Sequence, residues 1–157
     1  GPMAQGRFAD EVRAQVSEAV AAGATAHIET YAEDDGGAYL SPQILPNVSH
    51  EMRVMRDESF GPVVGIMPVS GDAEALELLN DSEFGLTASL WTSDLDRAAA
   101  IGNRIETGTV FMNRADYLDP GLCWTGCKNT GRGGGLSVIG YHNITRPKSF
   151  HMKKVTS

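Results

Sequence analysis

From Pro62 onward the apolar residues fall in an order that few folds can accommodate. Val63, Val64, Ile66, Met67 and Val69 form a nearly unbroken apolar run. A helical stretch follows, with Asp72 as its expected N-cap and Ala75, Leu76, Leu78 and Leu79 inside it. The next strand reads Ala88-Ser89-Leu90-Trp91. A second helix is expected from Ser93, where Ser93-Asp94-Leu95-Asp96 approximates a capping box. Its apolar face would be Leu95, Ala98, Ala99, Ile101 and Ile105, and Gly108 precedes a strand at Val110-Phe111-Met112. Apolar strands without polar alternation are expected where a parallel sheet is covered on both faces. The order strand, helix, strand, helix, strand therefore predicts an α/β fold, an open mostly parallel sheet flanked by helices, with right-handed crossovers.

The first part of the chain carries weaker signals. Phe8, Val12, Val16 and Val20 recur every four residues with Ala9 and Ala19 beside them, predicting a helix with one apolar stripe, ended by Gly23. A strand is expected over residues 24–30 around Ile28, and an exposed turn from Glu33 to Gly37. Pro42 and Pro46 mark the extended stretch Pro42 to Val48 as an edge or irregular strand, because proline cannot donate to a ladder. Beyond Asn113 regular patterns fade. The glycines from Gly131 to Gly135 read as a mobile surface loop, and Ser149 to Val155 as one last strand. Neither a repeat nor a linker interrupts the chain, which reads as one unit.

Composition narrows the class of function. A chain of 157 residues has the length of one domain. A net charge of −7 opposes binding to nucleic acid, which needs clustered cations against phosphate. Arg146, Lys148, Lys153 and Lys154 gather near the end, where they read as charge protecting a strand edge. No apolar run approaches the roughly 18 residues of a membrane span. No basic region followed by an apolar stretch opens the chain, so a cytoplasmic protein is expected, and Gly1-Pro2-Met3 reads as a protease-cleavage scar before a start methionine. In a reducing compartment Cys123 and Cys127 are not expected to form a disulfide, and the sequons at Asn47 and Asn143 read as chance matches.

Several chemistries lack their motifs. There is no phosphate-binding loop of the G-x-x-x-x-G-K type and no G-x-S-x-G nucleophile turn. Gly131 to Gly135 do not fit G-x-G-x-x-G and do not lie between an expected strand and helix. His50-Glu51 begins like H-E-x-x-H, but Val54 stands where the second zinc ligand would be. His27, His142 and His151 stand alone, and the two cysteines have no further ligand cluster, so no metal site is expected. Either cysteine would need a thiolate-stabilising environment to act as a nucleophile.

One segment is specific. Arg56-Asp57-Glu58-Ser59-Phe60-Gly61-Pro62-Val63 closes a short acidic-aromatic stretch with Gly-Pro and runs into an apolar strand. It closely resembles the E-x-F-G-P-V signature of the aldehyde dehydrogenase superfamily. Tyr39-Leu40-Ser41-Pro42-Gln43-Ile44-Leu45 resembles the family's G-Y-F-x-P-T-I-L, and Asn80 through Ala88 its N-x-x-x-Y-G-L-x-A, with Phe84 at the aromatic position. Gly108 through Asn113 is similar to G-x-V-x-V-N, and Trp124 through Gly131 to F-G-G-x-K-x-S-G. The resemblance runs in order through essentially the whole chain and identifies it with the family's carboxy-terminal third.

The resemblance carries roles for particular residues. Glu58 matches the glutamate that hydrogen-bonds the ribose hydroxyls next to the nicotinamide, and Phe60 the phenylalanine lying against that end of the cofactor. Asn113 matches an asparagine expected to fix the loop that follows it. Leu118, Cys123 and Trp124 would help wall the aldehyde tunnel, with core packing as the rival reading for Trp124. The family's nucleophilic cysteine, general-base glutamate and glycine-rich cofactor domain lie upstream of the matched segment, and no such motif occurs here. NAD or NADP is therefore expected in the intact enzyme and not on this chain alone, for which no turnover is expected. Residues 4–148 would form the carboxy-terminal part of a catalytic domain and 149–157 an oligomerisation strand. The expected partners are further copies of the chain, through Ser149 to Val155 or exposed sheet faces, and the missing part of the enzyme. A standalone, non-catalytic module that self-associates or pairs with a full-length relative is the alternative. An active site built on Cys127 is a third reading.

Overall fold

The computed structural model describes residues 2–28 and 37–155. It divides into two compact units, Gly1–Leu78 and Leu79–Ser157, where the sequence suggested one. The fold is α/β, with parallel strand pairs beside helices.

In the first unit, helix α1 spans Gly6–Ala21. Its buried face is Ala9, Val12, Gln15 and Ala19, with Val16 half-buried. Phe8 and Val20, expected on the same stripe, are exposed. The cause is geometric. A helix turns about 100° per residue, so residues four apart drift about 40° around the axis. Three such steps carry Val20 far from Phe8, and only the middle of the stripe faces inward. The segment Ala24–Ile28 is not a regular strand, but it lies alongside strand β1, Gln43–Pro46. Thr25 N donates to Pro46 O (3.0 Å) and His27 N to Ile44 O (3.0 Å). Residues 29 and 30, and the expected turn at 33–36, lie outside the described residues.

A short helix α2, Arg53–Arg56, which sequence patterning did not reveal, precedes strand β2, Val63–Ile66. β1 and β2 pair in parallel, with Leu45 opposite Gly65. β1 is thus bonded on both flanks and is not the edge strand its prolines suggested. Pro42 lies just before it and Pro46 ends it, positions where a missing N–H does little harm. Leu45 is fully buried, clustered with Ala19, Ala24 and Val48, and Val63, Met55 and Met67 pack against the group. β2 is not covered on both faces within this chain. Its exposure alternates, with Val63 and Gly65 inward and Val64 and Ile66 about half exposed. Gly65 is constrained sterically, since a Cβ there would collide with Met55 Sδ and meet Val48 Cγ2 at 3.0 Å.

Helix α3, Asp72–Asn80, begins one residue earlier than expected. Asp72 lies in its first turn rather than capping it, and Ala75 N donates to Gly71 O (3.0 Å). Ser70 and Glu74 close the entry, with Ser70 N and Oγ both donating to Glu74 Oε2 (2.6 and 2.5 Å). These bonds hold the Glu74 carboxyl below its ordinary range. Leu76 is buried and Leu79 exposed.

In the second unit, β3 (Phe84–Gly85) pairs antiparallel with β7 (Cys127–Lys128), and β4 (Thr87–Leu90) pairs in parallel with β5 (Thr109–Met112). Trp91, expected to end the fourth strand, lies past it and is exposed. Helix α4, Leu95–Gly102, connects β4 to β5. Its cap is Asp94 rather than Ser93, and the Asp94 carboxylate accepts from Arg97 N (2.9 Å). Ala98 and, past the helix end, Ile105 are buried, whereas Leu95 and Ala99 are exposed.

The glycine-rich stretch is ordered by pairing. β6 (Trp124–Thr125) runs antiparallel to β8 (Gly134–Gly135), and helix α5, Ser137–Ile144, starts two residues later. The run from Gly131 to Gly135 therefore does enter a helix, contrary to the expected loop. Patterning missed α5 because none of its residues is buried, so no apolar face separates from a polar one. The expected last strand over Ser149 to Val155 is not formed. The segment is exposed along its length, and no strand among the described residues lies beside it to bond.

Leu45 supplies a direct check on the first core. Leu45→Ala is expected to lower stability by about 2–5 kcal/mol, read from the midpoint of urea unfolding with little change in slope.

Candidate functional site

The loop from Asp57 to Pro62 leaves α2 and enters β2. From Glu58 onward exposure alternates along it. Glu58 and Phe60 point outward, while Ser59 and Gly61 are partly buried. Phe60 is 83% exposed, and its backbone has φ +47°, in the left-handed region. For an L residue that conformation costs about 1–2 kcal/mol and persists only where the surroundings hold it.

Three contacts with α1 supply that hold. Arg53 of α2 pairs with Glu18 of α1 (3.1 Å), with Glu11 of α1 and with Asp57 at the head of the loop (3.0 Å). The three carboxylates raise the guanidinium above its already high range, bonding to Glu11 first, then to Asp57 and Glu18. In mid-loop Ser59 Oγ donates to Gln15 Oε1 (2.6 Å), and Gln15 is 1% exposed. At the tail, a Cβ on Gly61 would come within 2.6 Å of Val12 Cγ2, so only glycine fits. Glu11, Gln15 and Glu18 are spaced four and three apart, which places them on one helix face. Among the described residues the Glu58 carboxylate has no hydrogen-bond partner and stands open to solvent.

The other sequence-identified residues belong to the second unit. Asn113 has φ +55°, a region asparagine tolerates. Its side chain brackets Thr92, with Oδ1 accepting from Thr92 N (2.9 Å) and Nδ2 donating to Thr92 O (2.8 Å). It therefore fixes the β4–α4 connection, not the loop that follows it. That following loop is held instead by Ser89 Oγ, which donates to Arg114 O (2.5 Å). Leu118 is 59% exposed, and Cys123 and Trp124 are half-buried. Cys123 lies against Gly134, where its Sγ would be 2.7 Å from an added Cβ, and Trp124 pairs with Gly135. These three do not line an apolar hollow beside α5. That space, about 630 Å³, is bounded by Pro120, Gly121 and the α5 residues Val138, Tyr141 and Ile144. Cys127 is half-buried in β7, its thiol free.

Sequence reasoning missed a polar knot that joins two of the signature stretches. Lys128 Nζ donates to Asn80 O (2.6 Å) and Ser82 O (3.0 Å) and pairs with Glu106 (2.8 Å). Asn80 bonds Arg104 O and Glu106 N through its amide, and Gly85 N donates to Thr130 Oγ1 (2.8 Å). The signal available was Asn80 in one stretch and Lys128 in the other, but nothing local paired them. Among the described residues, no group of three or more His, Cys, Asp or Glu side chains could hold a metal ion, and no helix is long and apolar enough to cross a membrane.

Comparison with known proteins decides the family. Residues 1–150 match the aldehyde dehydrogenase family. The chain belongs to that family. It is 41% identical over 145 residues to succinate semialdehyde dehydrogenase [NAD(P)+] Sad of Escherichia coli (strain K12), covering 92% of this chain and 31% of that protein. It is 34% identical over 148 residues to succinate-semialdehyde dehydrogenase [NADP(+)] of Deinococcus radiodurans, covering 94% of this chain and 31% of the relative. Among solved structures, Mycobacterium tuberculosis aldehyde dehydrogenase complexed with NAD+ superposes with a TM-score of 0.81 at 30% identity, covering 89% of this chain and 29% of that one. This aldehyde dehydrogenase chain thus spans about a third of the length of the relatives it matches.

The Asn113 bracket can be tested alone. Asn113→Ala removes both bonds to Thr92 and puts alanine at positive φ. It is expected to lower stability by about 1–3 kcal/mol and to speed hydrogen exchange at the Thr92 amide.

Proposed function

We propose that the chain is the carboxy-terminal portion of an NAD(P)-dependent aldehyde dehydrogenase that converts an aldehyde to a carboxylic acid. Its share of the site is the loop carrying Glu58 and Phe60. The observation that supports this reading is the outward, partner-free presentation of these two side chains by a loop fastened on its other side to α1.

The residues fit a dinucleotide. An exposed carboxylate with open lone pairs can accept two hydrogen bonds from vicinal ribose hydroxyls, and its charge strengthens both. An outward aromatic ring two residues on gives the nicotinamide a flat apolar surface. When bound, NAD(P) accepts the hydride that leaves the substrate carbon. Glu58 and Phe60 only bind and orient. The nucleophile and the general base are assigned to the remainder of the enzyme, and this chain alone has no turnover. Leu118, Cys123 and Trp124 are assigned to the aldehyde tunnel of the whole enzyme, which operates in the cytoplasm. Ser149 to Val155, exposed and unpaired with Phe150, Met152 and Val155 uncovered, is assigned to pairing with a neighbouring subunit in a homo-oligomer.

The purified chain, given NAD or NADP and short aliphatic or aromatic aldehydes, is expected to form no reduced coenzyme above the buffer rate. Aldehyde-dependent turnover that survives repurification would overturn the proposal and point to Cys127 or Cys123 as nucleophile. In a full-length enzyme carrying this segment, Glu58→Gln is expected to raise the KM for coenzyme about tenfold, with the KM for aldehyde little changed.

A further inference from the structure

Gln15 is an unusual residue for its position. It lies on the buried face of α1 between Val12 and Ala19, and it is 1% exposed. An amide at such a place is unfavourable unless it is hydrogen-bonded, and an aliphatic side chain would pack there without that requirement. Its oxygen is spent on one partner, the hydroxyl of Ser59. Ser59 is the residue between Glu58 and Phe60. The loop has other anchors, Asp57 on Arg53 and Gly61 on Val12, but these grip its ends. Among the described residues, only the Gln15–Ser59 bond acts between the two outward side chains.

We propose that Gln15, acting through Ser59, is a positioning residue for coenzyme binding by Glu58 and Phe60. The proposal rests on the reading of that pair given above. Without the bond, Ser59 is free to rotate, and Phe60 can relax from its left-handed backbone conformation toward one that L residues prefer. The carboxylate and the ring then no longer hold one relative placement, so part of the coenzyme's binding energy must be used to restore it. The effect falls on coenzyme binding and leaves aldehyde affinity untouched.

The test has two levels. In the chain itself, Ser59→Ala is expected to raise hydrogen exchange at the Phe60 and Gly61 amides while α1 stays protected. In the full-length enzyme carrying this segment, Ser59→Ala and Gln15→Leu are each expected to raise the KM for NAD(P) about five- to tenfold, as loss of one buried hydrogen bond implies. Ser59→Thr, which keeps the hydroxyl, restores most of the affinity, and the double variant is no worse than the poorer single one. Should Gln15→Leu fail to fold, Ser59→Ala and Ser59→Thr decide alone. An unchanged coenzyme KM in Ser59→Ala, beside a raised one in Glu58→Gln, overturns the positioning role and leaves the reading of Glu58 standing. An unchanged KM in Glu58→Gln as well overturns both.

Discussion

The grip of α1 on the segment from Arg53 to Gly61 is the constraint on which the first unit turns. A helix presents residues at spacings of three and four on one side, and α1 uses that side for three different jobs. Glu11 and Glu18 take Arg53, Gln15 takes Ser59, and Val12 closes on Gly61. Behind this face Ala19 joins Leu45 and Val48 in the small core under β1 and β2. The same helix thus sets both the strand pair and the loop that enters it. The ion pairs around Arg53 are solvent-exposed and individually weak, so they are best seen as fixing direction. The buried amide and the close approach at Gly61 set the position.

The second unit is organised by a different device, in which segments about fifty residues apart are tied by side chain to backbone. Lys128 reaches two carbonyls near the end of α3, and Thr130 accepts from the backbone N–H of Gly85, the last residue of β3. Asn113 continues the β4–β5 ladder with its own amide after the strands have ended. Several signature residues of the aldehyde dehydrogenase family are therefore structural here. Asn80, Lys128 and Asn113 spend their polar groups inside the protein, and Glu58 and Phe60 do not.

Apolar surface remains open in this chain. Val64 and Ile66 on β2, four apolar residues of α5 and the segment around Phe150 and Met152 are all substantially exposed. Surfaces of that kind favour association, and they accord with a chain spanning about a third of its relatives' length.

The sequence by itself determined the α/β order and the family. Those rest on local chemistry: apolar runs, glycine and proline punctuation, and a contiguous signature from Glu58 to Val63. It misplaced the ends of one helix stripe and what depends on neighbours distant in the chain. Phe8 and Val20 fell off the stripe because a strict period of four drifts around a helix. Gly134 and Gly135, at the end of the glycine run, became a strand and a helix entry because Trp124 and Thr125 lie beside them. Ser149 to Val155, strand-like in composition, formed no strand because a strand exists only through its partner. Asn113 turned to Thr92, and Gln15 to Ser59, across gaps of 21 and 44 residues. A polar side chain in a sequence shows what it can bond, and only the tertiary structure decides which partner comes within reach.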